Sequence, residues 1–478
     1  RDLLSFPTRR SSDLLSMLIR QPFGDPPDEF NRYLIPEYIA EHGTLPNGYD
    51  EAIRIPSYGF SYAFQPILPY MIQGYCMRFV RLFTTDTDTL FYTARLTDFF
   101  FGLIMALFVW LLAGKWFQNR YLRYAFCFLV MFLPQSIFLH TYVNTDSCCM
   151  MSIAILLYGL TCCLEDHFTF RSCTILSVGI IFCALSYYNA YGYILSSILL
   201  FIAHYLSFSE GRLHVDIRNF LKKGGYICVL VLLCISWWFI RSYLLYDGDF
   251  LGLRTRDLFG ALYGNENMRP GVRTTYQTAG YTVWGMLTSS DFLVLSVNSL
   301  ISMYGPMTIY TSVWIYRFYK LLFGAGLPFC ALVPKTVQKG SDDTGIAWKN
   351  RPVLSIFFHC NMILCMILPL ILSVIYSYGT DYQPQGRYLM PMLIPLCYYC
   401  IRGAQKGVSG VCACYSYLCK KPVNEAEYNR LLTGLCVILS VMIILSVLVT
   451  VYGYAFPAWD AYGPDEPHLI RQFWSADH

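Results

Sequence analysis

The amino-acid sequence predicts an all-α polytopic membrane protein with about ten to eleven transmembrane helices. Three observations lead to that fold class. Of the 478 residues, 55% are hydrophobic and only 14% are charged, and the mean hydropathy is +0.42. A soluble domain carries about 25% charged residues because it must cover its surface with them. The apolar residues also form continuous blocks, which favour helices over the alternating pattern of a membrane β-barrel.

Ten segments hold roughly the 20 residues that a helix needs to cross a bilayer. They lie near 92–113, 122–141, 147–164, 173–188, 190–207, 225–245, 310–333, 353–378, 386–402 and 430–456. Residues 15–20 are interpreted as the remnant of a truncated first span. Residues 1–14 resemble translated sequencing-adapter sequence and are excluded from the fold prediction. The pair within 173–207 is either two short spans or one long tilted helix.

Loop charge predicts which side of the membrane each loop faces, because cytoplasmic loops collect Lys and Arg. The connections near 114–121, 208–224, 334–352 and 402–430 are basic, and two spans within 173–207 put them all on one side. In contrast, residues 21–63 contain seven carboxylates and two arginines. We therefore expect a first extracytoplasmic loop at 21–91 with interfacial helices, a bundle at 92–456 with an outer loop at 246–309, and an extracytoplasmic tail at 457–478.

The nineteen cysteines are expected to be free thiols. Most of them lie inside apolar spans, where a free cysteine behaves as a small hydrophobic residue. Three more form a cluster in the basic stretch that follows the span at 386–402, without the second cysteine pair that a zinc ribbon requires.

The first outer loop contains the candidate catalytic carboxylates, Asp28 and Glu29, directly after two prolines. Such acids can simply stabilise the first turn of a helix, which we expect to be broken or kinked at Pro36. At the membrane surface they can also accept a proton from an incoming hydroxyl group or hold a divalent metal ion.

Three arginines, Arg95, Arg241 and Arg387, lie at the outer ends of predicted spans. A guanidinium there can bind a lipid phosphate through two hydrogen bonds, or it can only anchor the helix among the headgroups. Four further polar residues near the same surface are candidate site residues. They are Asn144, Asp146, Gln385 and Tyr388, of which Asp146 could instead cap the helix that begins there.

These motifs together resemble the GT-C superfamily of membrane glycosyltransferases. They are Pro27-Asp28-Glu29, Arg95-Leu96, Asn144-x-Asp146, Trp238…Arg241…Tyr246-Asp247-Gly248-Asp249, Tyr304-Gly305 and Gln385-Gly386-Arg387-Tyr388. The nearest likeness is to an uncharacterised bacterial family of predicted polytopic membrane proteins within that superfamily. The resemblance extends over about residues 22–454, and its specificity lies in the order and the sidedness of the motifs.

The resemblance implies transfer of a sugar from a polyprenyl-phosphate carrier at the outer face of a bacterial plasma membrane. The acceptor would be a cell-envelope glycan or a lipid-linked acceptor, and nucleic acid has no part in it. The catalytic acidic residue of GT-C enzymes matches Asp28 and Glu29. Some members need a divalent metal ion such as Mg or Mn, and if this chain binds one, Asp28 and Glu29 would be its ligands. The nearest family often has a histidine where this chain has Arg32, to which we assign no role from the sequence.

The same residues suit the chemistry, since glycosyl transfer needs a base for the acceptor and positive charge near the departing phosphate. The sequence thus predicts a glycosyltransferase with Asp28 and Glu29 as catalytic residues and with Arg387, Arg241 and Arg95 at the donor phosphate. Two alternatives stay open, a carrier or flippase for a lipid-linked glycan and a non-catalytic membrane component of envelope polysaccharide assembly.

Overall fold

The computed structural model describes residues 15–209, 212–332 and 352–461. The adapter-like segment at 1–14, most of the basic loop before residue 352 and the tail from residue 462 onward lie outside the described residues. The expectations for these segments therefore stay predictions.

The described chain is almost entirely helical. Residues 15–20 are helical and lead into the first loop. The α-helices that follow are α1 Glu29–His42, α2 Leu68–Val80, α3 Thr87–Trp116, α4 Arg120–Met131, α5 Pro134–Leu139, α6 Asp146–Glu165, α7 Phe170–Ala184, α8 Tyr191–Tyr205, α9 Ile217–Leu245, α10 Leu253–Tyr263, α11 Val283–Ser289, α12 Phe292–Ile301, α13 Val313–Leu332, α14 Pro352–Gly379, α15 Leu393–Cys419, α16 Glu425–Thr450 and α17 Phe456–Ala461.

Shorter elements join these helices. Two antiparallel hairpins pair Leu206–Ser209 with Arg212–Val215 and Met303–Tyr304 with Ile309–Tyr310. Single 3₁₀ turns lie at Glu51–Ile53, Tyr62–Phe64, Tyr188–Ala190, Glu266–Met268 and Gly386–Met392, and a π-helical turn lies at Val451–Ala455.

Each of the ten predicted spans coincides with a helix or with a pair of consecutive helices. Within the described residues, five helices are long and apolar enough to cross a membrane, judged by length and composition alone. The segment at 173–207 forms two helices, α7 and α8, separated by the turn Tyr188–Ala190. The cysteine cluster, in contrast, lies on the last turns of α15 and not in a loop, because that helix continues to Cys419.

Residues 21–91, the predicted first outer loop, fold onto the bundle through α1 and α2. The expected break at Pro36 is wrong, since α1 continues without interruption to His42. Pro36 is buried, and its neighbours Ile35 and Ile39 belong to a small apolar core beneath the loop. Burial of these side chains offsets the hydrogen bond that a proline removes from a helix. Gly74 of α2 lets the two helices approach, because an added Cβ there would lie 2.7 Å from Ile39.

Candidate active site

Asp28 lies at the start of α1 with a left-handed backbone, at a φ of 63°. A residue other than glycine rarely adopts this conformation, which costs of the order of 1–3 kcal/mol and is concentrated at functional sites. Asp28 does not accept a hydrogen bond from the backbone of its own helix through its side chain. Its side chain is 23% exposed.

Arg387 reaches Asp28 from the far end of the chain. Its Nη2 donates to Asp28 Oδ2 at 2.6 Å and to the Tyr388 hydroxyl at 3.1 Å, while its Nη1 donates to the carbonyl of Pro27 at 3.3 Å. Arg387 is buried in the 3₁₀ segment Gly386–Met392, which precedes α15. The two predicted site residues Asp28 and Arg387 are therefore brought into direct contact.

Gly386 allows this segment to pack closely. A Cβ on Gly386 would lie 1.9 Å from the backbone nitrogen of Leu300 in α12, so only glycine fits. The Gly386 amide also donates to the Ser299 hydroxyl at 2.6 Å. The glycine of the Gln-Gly-Arg-Tyr motif thus fixes the backbone that carries Arg387.

A second guanidinium, that of Arg32, lies on the other side of Asp28. Arg32 follows Asp28 by one helical turn, and its Nη2 is 3.8 Å from Asp28 Oδ2. Its Nη1 donates to the Thr145 hydroxyl at 3.1 Å and lies 3.8 Å from Asp146 Oδ2. Arg32 therefore connects the candidate carboxylate to Asp146, although the sequence assigned it no role.

Several buried polar atoms around Asp28 have no hydrogen-bond partner among the described residues. They are Nε of Arg32, Nε of Arg387, Oη of Tyr142 and Oδ2 of Asp146. A buried donor without a partner costs about 1–3 kcal/mol. Two of the four atoms belong to the arginines that flank Asp28, and Nε of Arg54 and Arg273 are buried in the same way elsewhere in the described chain.

The arginines also set the protonation of Asp28. Burial raises its pKa, but the charges of Arg387 and Arg32 outweigh burial and hold the pKa below the usual range. The Tyr62 hydroxyl lowers it further through a hydrogen bond. Asp28 is thus a carboxylate at neutral pH, and it becomes a stronger base only when a guanidinium is drawn away from it.

Glu29, the neighbour of Asp28, is fully buried against Arg95. Arg95 donates from Nε to Glu29 Oε1 at 2.8 Å and from Nη2 to Oε2 at 2.6 Å. The remaining donors of Arg95 bind the carbonyls of Leu18, Gln21 and Pro22. Every donor of Arg95 is used in holding the first loop to α3. The contacts of Arg95 and Glu29 therefore position the start of α1, and with it Asp28.

Both carboxylate oxygens of Glu29 also accept hydrogen bonds from backbone amides. Oε1 accepts from the amide of Val143 at 3.0 Å and Oε2 accepts from the amide of Gly24 at 3.1 Å. Asp28 and Glu29 therefore do not present two free carboxylates to one metal ion in this arrangement. Among the described residues there is also no group of three or more His, Cys, Asp or Glu that could hold a metal ion.

The structure separates the roles of Asn144 and Asp146. Asn144 accepts from the Ser147 amide at 2.8 Å and donates to the carbonyls of Leu139 and Tyr142, so it orders the turn before α6. Asp146 is the first residue of α6 and faces Arg32, not the backbone of its own helix.

Arg241 lies in a different part of the structure. Its Nη2 donates to the carbonyl of Pro46 at 2.8 Å, and its guanidinium lies 5.3 Å from the ring of Trp238. The contacts of Arg241 thus join α9 to the first loop, and they do not bring it to Asp28.

Gln385 and Tyr388 flank Arg387 on its 3₁₀ segment. The Tyr388 hydroxyl accepts from Arg387 and donates to Oε1 of Gln383, while Oε1 of Gln385 is buried without a hydrogen-bond partner in the described chain. Sequence reasoning missed Gln383 and the residues beyond it, Asp381 and Arg273. The signal was a run of polar residues, Thr380–Gln385, directly before the arginine motif.

Comparison with known proteins gives fold likeness alone. No family model and no curated protein matches the chain. Among solved structures, ArnT from Cupriavidus metallidurans bound to undecaprenyl phosphate is 11% identical with a TM-score of 0.48, over 94% of this chain and 71% of that one. The Archaeoglobus fulgidus oligosaccharyltransferase in its apo form is 15% identical with a TM-score of 0.48, over 96% of this chain and 55% of that one.

A third structure, the Archaeoglobus fulgidus oligosaccharyltransferase AglB in complex with an inhibitory peptide and a dolichol-phosphate, is 13% identical with a TM-score of 0.42. This chain spans 55% of its length, so about half of each oligosaccharyltransferase chain has no counterpart here. TM-scores below 0.5 describe a loose likeness, from which no substrate and no residue role transfers to this chain.

Proposed function

We propose that this protein is a GT-C-type glycosyltransferase that moves a sugar from a polyprenyl-phosphate carrier to an acceptor hydroxyl group at the outer face of the membrane. One observation carries the proposal. A partly exposed carboxylate, Asp28, lies between two buried arginines, with Arg387 at 2.6 Å and Arg32 at 3.8 Å from the same oxygen. The acceptor is a cell-envelope glycan or a lipid-linked acceptor.

The two arginines supply what the leaving group requires. Negative charge grows on the phosphate as the bond between the sugar and its phosphate oxygen breaks, and preorganised positive groups stabilise that charge. A guanidinium can bind two phosphate oxygens at once, which favours arginine over lysine for this task. We propose Arg387 as the main phosphate ligand and Arg32 as a second one.

Donor binding also prepares the base. A phosphate at Arg387 competes with Asp28 for the same Nη2, which now lies 2.6 Å from Asp28. As the ion pair weakens, the affinity of the carboxylate for a proton rises. Asp28 then accepts the proton of the acceptor hydroxyl group, and the acceptor oxygen bonds to the anomeric carbon of the sugar. The bond between that carbon and the phosphate oxygen breaks, and its electron pair leaves with the phosphate.

A lipid-linked donor also needs an apolar surface, and the chain has such a groove on the face of α2 that is turned away from Arg32. It runs between α2 and α3 and is lined by side chains such as Met71, Phe79 and Phe100. The neighbouring residue Tyr70, on the other face of α2, lies 3.5 Å from Arg32. A polyprenyl chain carries no polar atoms, so a groove of this composition is the surface that suits it.

The test is transfer by the purified protein. The protein in detergent is incubated with a panel of polyprenyl-phosphate-linked sugars and a membrane extract as the acceptor source, and release of polyprenyl phosphate is measured. The proposal expects release of the carrier together with sugar in the acceptor fraction. In proteoliposomes, movement of the intact donor between leaflets without release would contradict it and support the carrier alternative.

A further inference from the structure

The guanidinium of Arg32 lies between two carboxylates that come from different parts of the chain. Its Nη2 is 3.8 Å from Oδ2 of Asp28, at the start of α1, and its Nη1 is 3.8 Å from Oδ2 of Asp146, at the start of α6. Both separations are those of ion pairs and are longer than hydrogen bonds. The two acids therefore share the positive charge of Arg32, and neither binds it tightly.

Other contacts hold the Arg32 guanidinium in this place. Its Nη1 donates to the Thr145 hydroxyl at 3.1 Å and to the Tyr70 hydroxyl at 3.5 Å. The guanidinium also lies 5.3 Å from the centre of the Tyr62 ring, where a cation is attracted to the aromatic face. Because contacts on several sides fix this buried side chain, its charge is a permanent part of the site.

A cation between two carboxylates is also the arrangement in which a divalent metal ion would bind. Mg²⁺ is usually held by one or two carboxylates, and it completes its shell with water and with phosphate oxygens of the substrate. Such an ion stabilises the negative charge of a leaving phosphate. A guanidinium can do the same, since it binds two phosphate oxygens and stays charged at every relevant pH.

The charges around Asp28 do not suit a further cation. As carboxylates, Asp28 and Asp146 carry two negative charges, which the buried Arg32 and Arg387 balance with two positive ones. A divalent ion would add two positive charges to this neutral group, close to both guanidinium groups. Glu29, the other ligand expected from the sequence, already accepts hydrogen bonds at both of its oxygens.

We propose that the guanidinium of Arg32 takes the place of a divalent metal ion between Asp28 and Asp146, so that this protein transfers sugar without a metal ion. Asp146 is then a positioning residue, which acts by holding Arg32. The inference rests on the proposed sugar transfer and adds that the cation of the site is part of the chain. It replaces the expectation that Asp28 and Glu29 hold Mg or Mn.

A purely structural role for Arg32, in which it only fixes α1 against α6, makes a different prediction. Removal of the guanidinium would then lower the stability and do nothing else. If Arg32 takes the place of a metal ion, its removal leaves two carboxylates whose like charges repel, and a divalent cation should bind between them. Metal binding by a variant therefore separates the two roles, and it needs no transfer reaction.

Binding of Mn²⁺ to the detergent-solubilised protein, measured by electron paramagnetic resonance, provides this test. We expect Arg32→Ala to bind one Mn²⁺ more than the wild type at about 1 mM free ion, a concentration that fills weak protein sites. Its unfolding temperature should also rise with Mn²⁺, because the ion binds only the folded state. Arg32→Lys keeps a positive charge and should bind no more than the wild type. Arg32→Gln, neutral and closer to arginine in size, replaces Arg32→Ala if that variant does not fold.

Second substitutions show whether the ion lies between the two carboxylates. Arg32→Ala combined with Asp146→Asn should lose the additional Mn²⁺. The matched control is Arg32→Ala combined with Asp460→Asn, which removes a carboxylate from an exposed ion pair with Arg20 and should keep the ion. The proposal is overturned if neither neutral variant of Arg32 binds the additional ion, or if the wild type binds an ion that Asp146→Asn loses.

The rate of transfer gives a second, independent measurement. Chelation of metal ions with EDTA should leave the rate of sugar transfer by the wild type unchanged. A rate that is lost with EDTA and restored by Mg²⁺ or Mn²⁺ would overturn the proposal, although it would confirm the transfer itself. If no donor is used, the proposed function fails, while the comparison of Mn²⁺ binding still decides the role of Arg32.

Discussion

The guanidinium of Arg387 donates to the carboxylate of Asp28 across 2.6 Å, although 359 residues separate the two in the sequence. This contact brings together the start of the first outer loop and the start of the last helical pair of the bundle. The partner groups are a partly exposed carboxylate and a buried guanidinium, and the proposed active site rests on this pair.

Replacing Arg387 by lysine tests the use of a planar guanidinium. Arg387→Lys keeps the positive charge but cannot bind two phosphate oxygens in parallel. We expect kcat/KM for the lipid-linked donor to fall by about ten- to a hundredfold, which corresponds to one charge-assisted hydrogen bond. Arg241→Lys is the control, since its contacts are to Pro46 and Trp238. Wild-type kinetics in Arg387→Lys would reduce this residue to a structural role.

Glu29→Gln should affect folding more than it affects chemistry. The substitution leaves the buried Arg95 without its ion-pair partner, which costs about 3–5 kcal/mol in typical buried pairs. We expect a clear fall in the thermal unfolding temperature in detergent. Glu41→Gln is the control, because Glu41 forms an exposed ion pair with Arg81 at 3.6 Å. Equal unfolding temperatures of the two variants would show that the Glu29–Arg95 pair does not anchor the loop.

Asp25 should make stability depend on pH in mildly acidic solution. Burial raises its pKa from 3.8 to about 6, although the hydrogen bond from Trp459 opposes the shift. The folded state therefore binds the proton more tightly than the unfolded state, so this contribution to stability is full below about pH 4 and is lost as the pH rises through 6. Unfolding temperatures measured between pH 4 and 7 should fall more steeply for the wild type than for Asp25→Asn. Parallel curves would contradict the raised pKa.

The site depends on the predicted topology, in which Glu51 is outside and Gln118 is inside. Both side chains are exposed, and the prediction rests on the asymmetry of the loop charges. A membrane-impermeant maleimide applied to intact cells should label Glu51→Cys above the background of the native cysteines, and it should not label Gln118→Cys. Labelling of Gln118→Cys alone would place Asp28 on the cytoplasmic side and refute transfer at the outer face.

The helices could be predicted because hydrophobic blocks are a local property of the sequence. The break between α7 and α8 followed from loop charge. Asp28 was chosen as a candidate from its position after two prolines, and the structure places it against Arg387, while its catalytic role stays a prediction. Pro36 was misjudged because local proline rules do not include the burial that compensates for the lost hydrogen bond. Gly386 was found in the sequence as part of the Gln-Gly-Arg-Tyr motif. Its close approach to Leu300 depends on how α12 packs, which a local sequence pattern does not predict.

The sequence did not predict which arginine pairs with which carboxylate. Glu29 and Arg95 look like a catalytic acid and a phosphate ligand when they are taken singly, yet they bind each other in the structure. Arg32 was given no role because the expected histidine was missing, whereas its guanidinium lies between Asp28 and Asp146. Only the three-dimensional arrangement shows which carboxylate each arginine faces.

The most direct test of the central claim is the rate of sugar transfer from a polyprenyl-phosphate-linked donor by Asp28→Asn, compared with the wild type and with Asp460→Asn at equal amounts of folded protein. Loss of a catalytic base typically lowers the rate by about 10² to 10⁴. We expect a fall of that size in Asp28→Asn and a wild-type rate in Asp460→Asn. Rates are compared per amount of folded protein because Asp28→Asn also leaves the buried Arg387 without its ion-pair partner. A wild-type rate in Asp28→Asn would contradict the assignment of Asp28 as the base and with it the proposed active site.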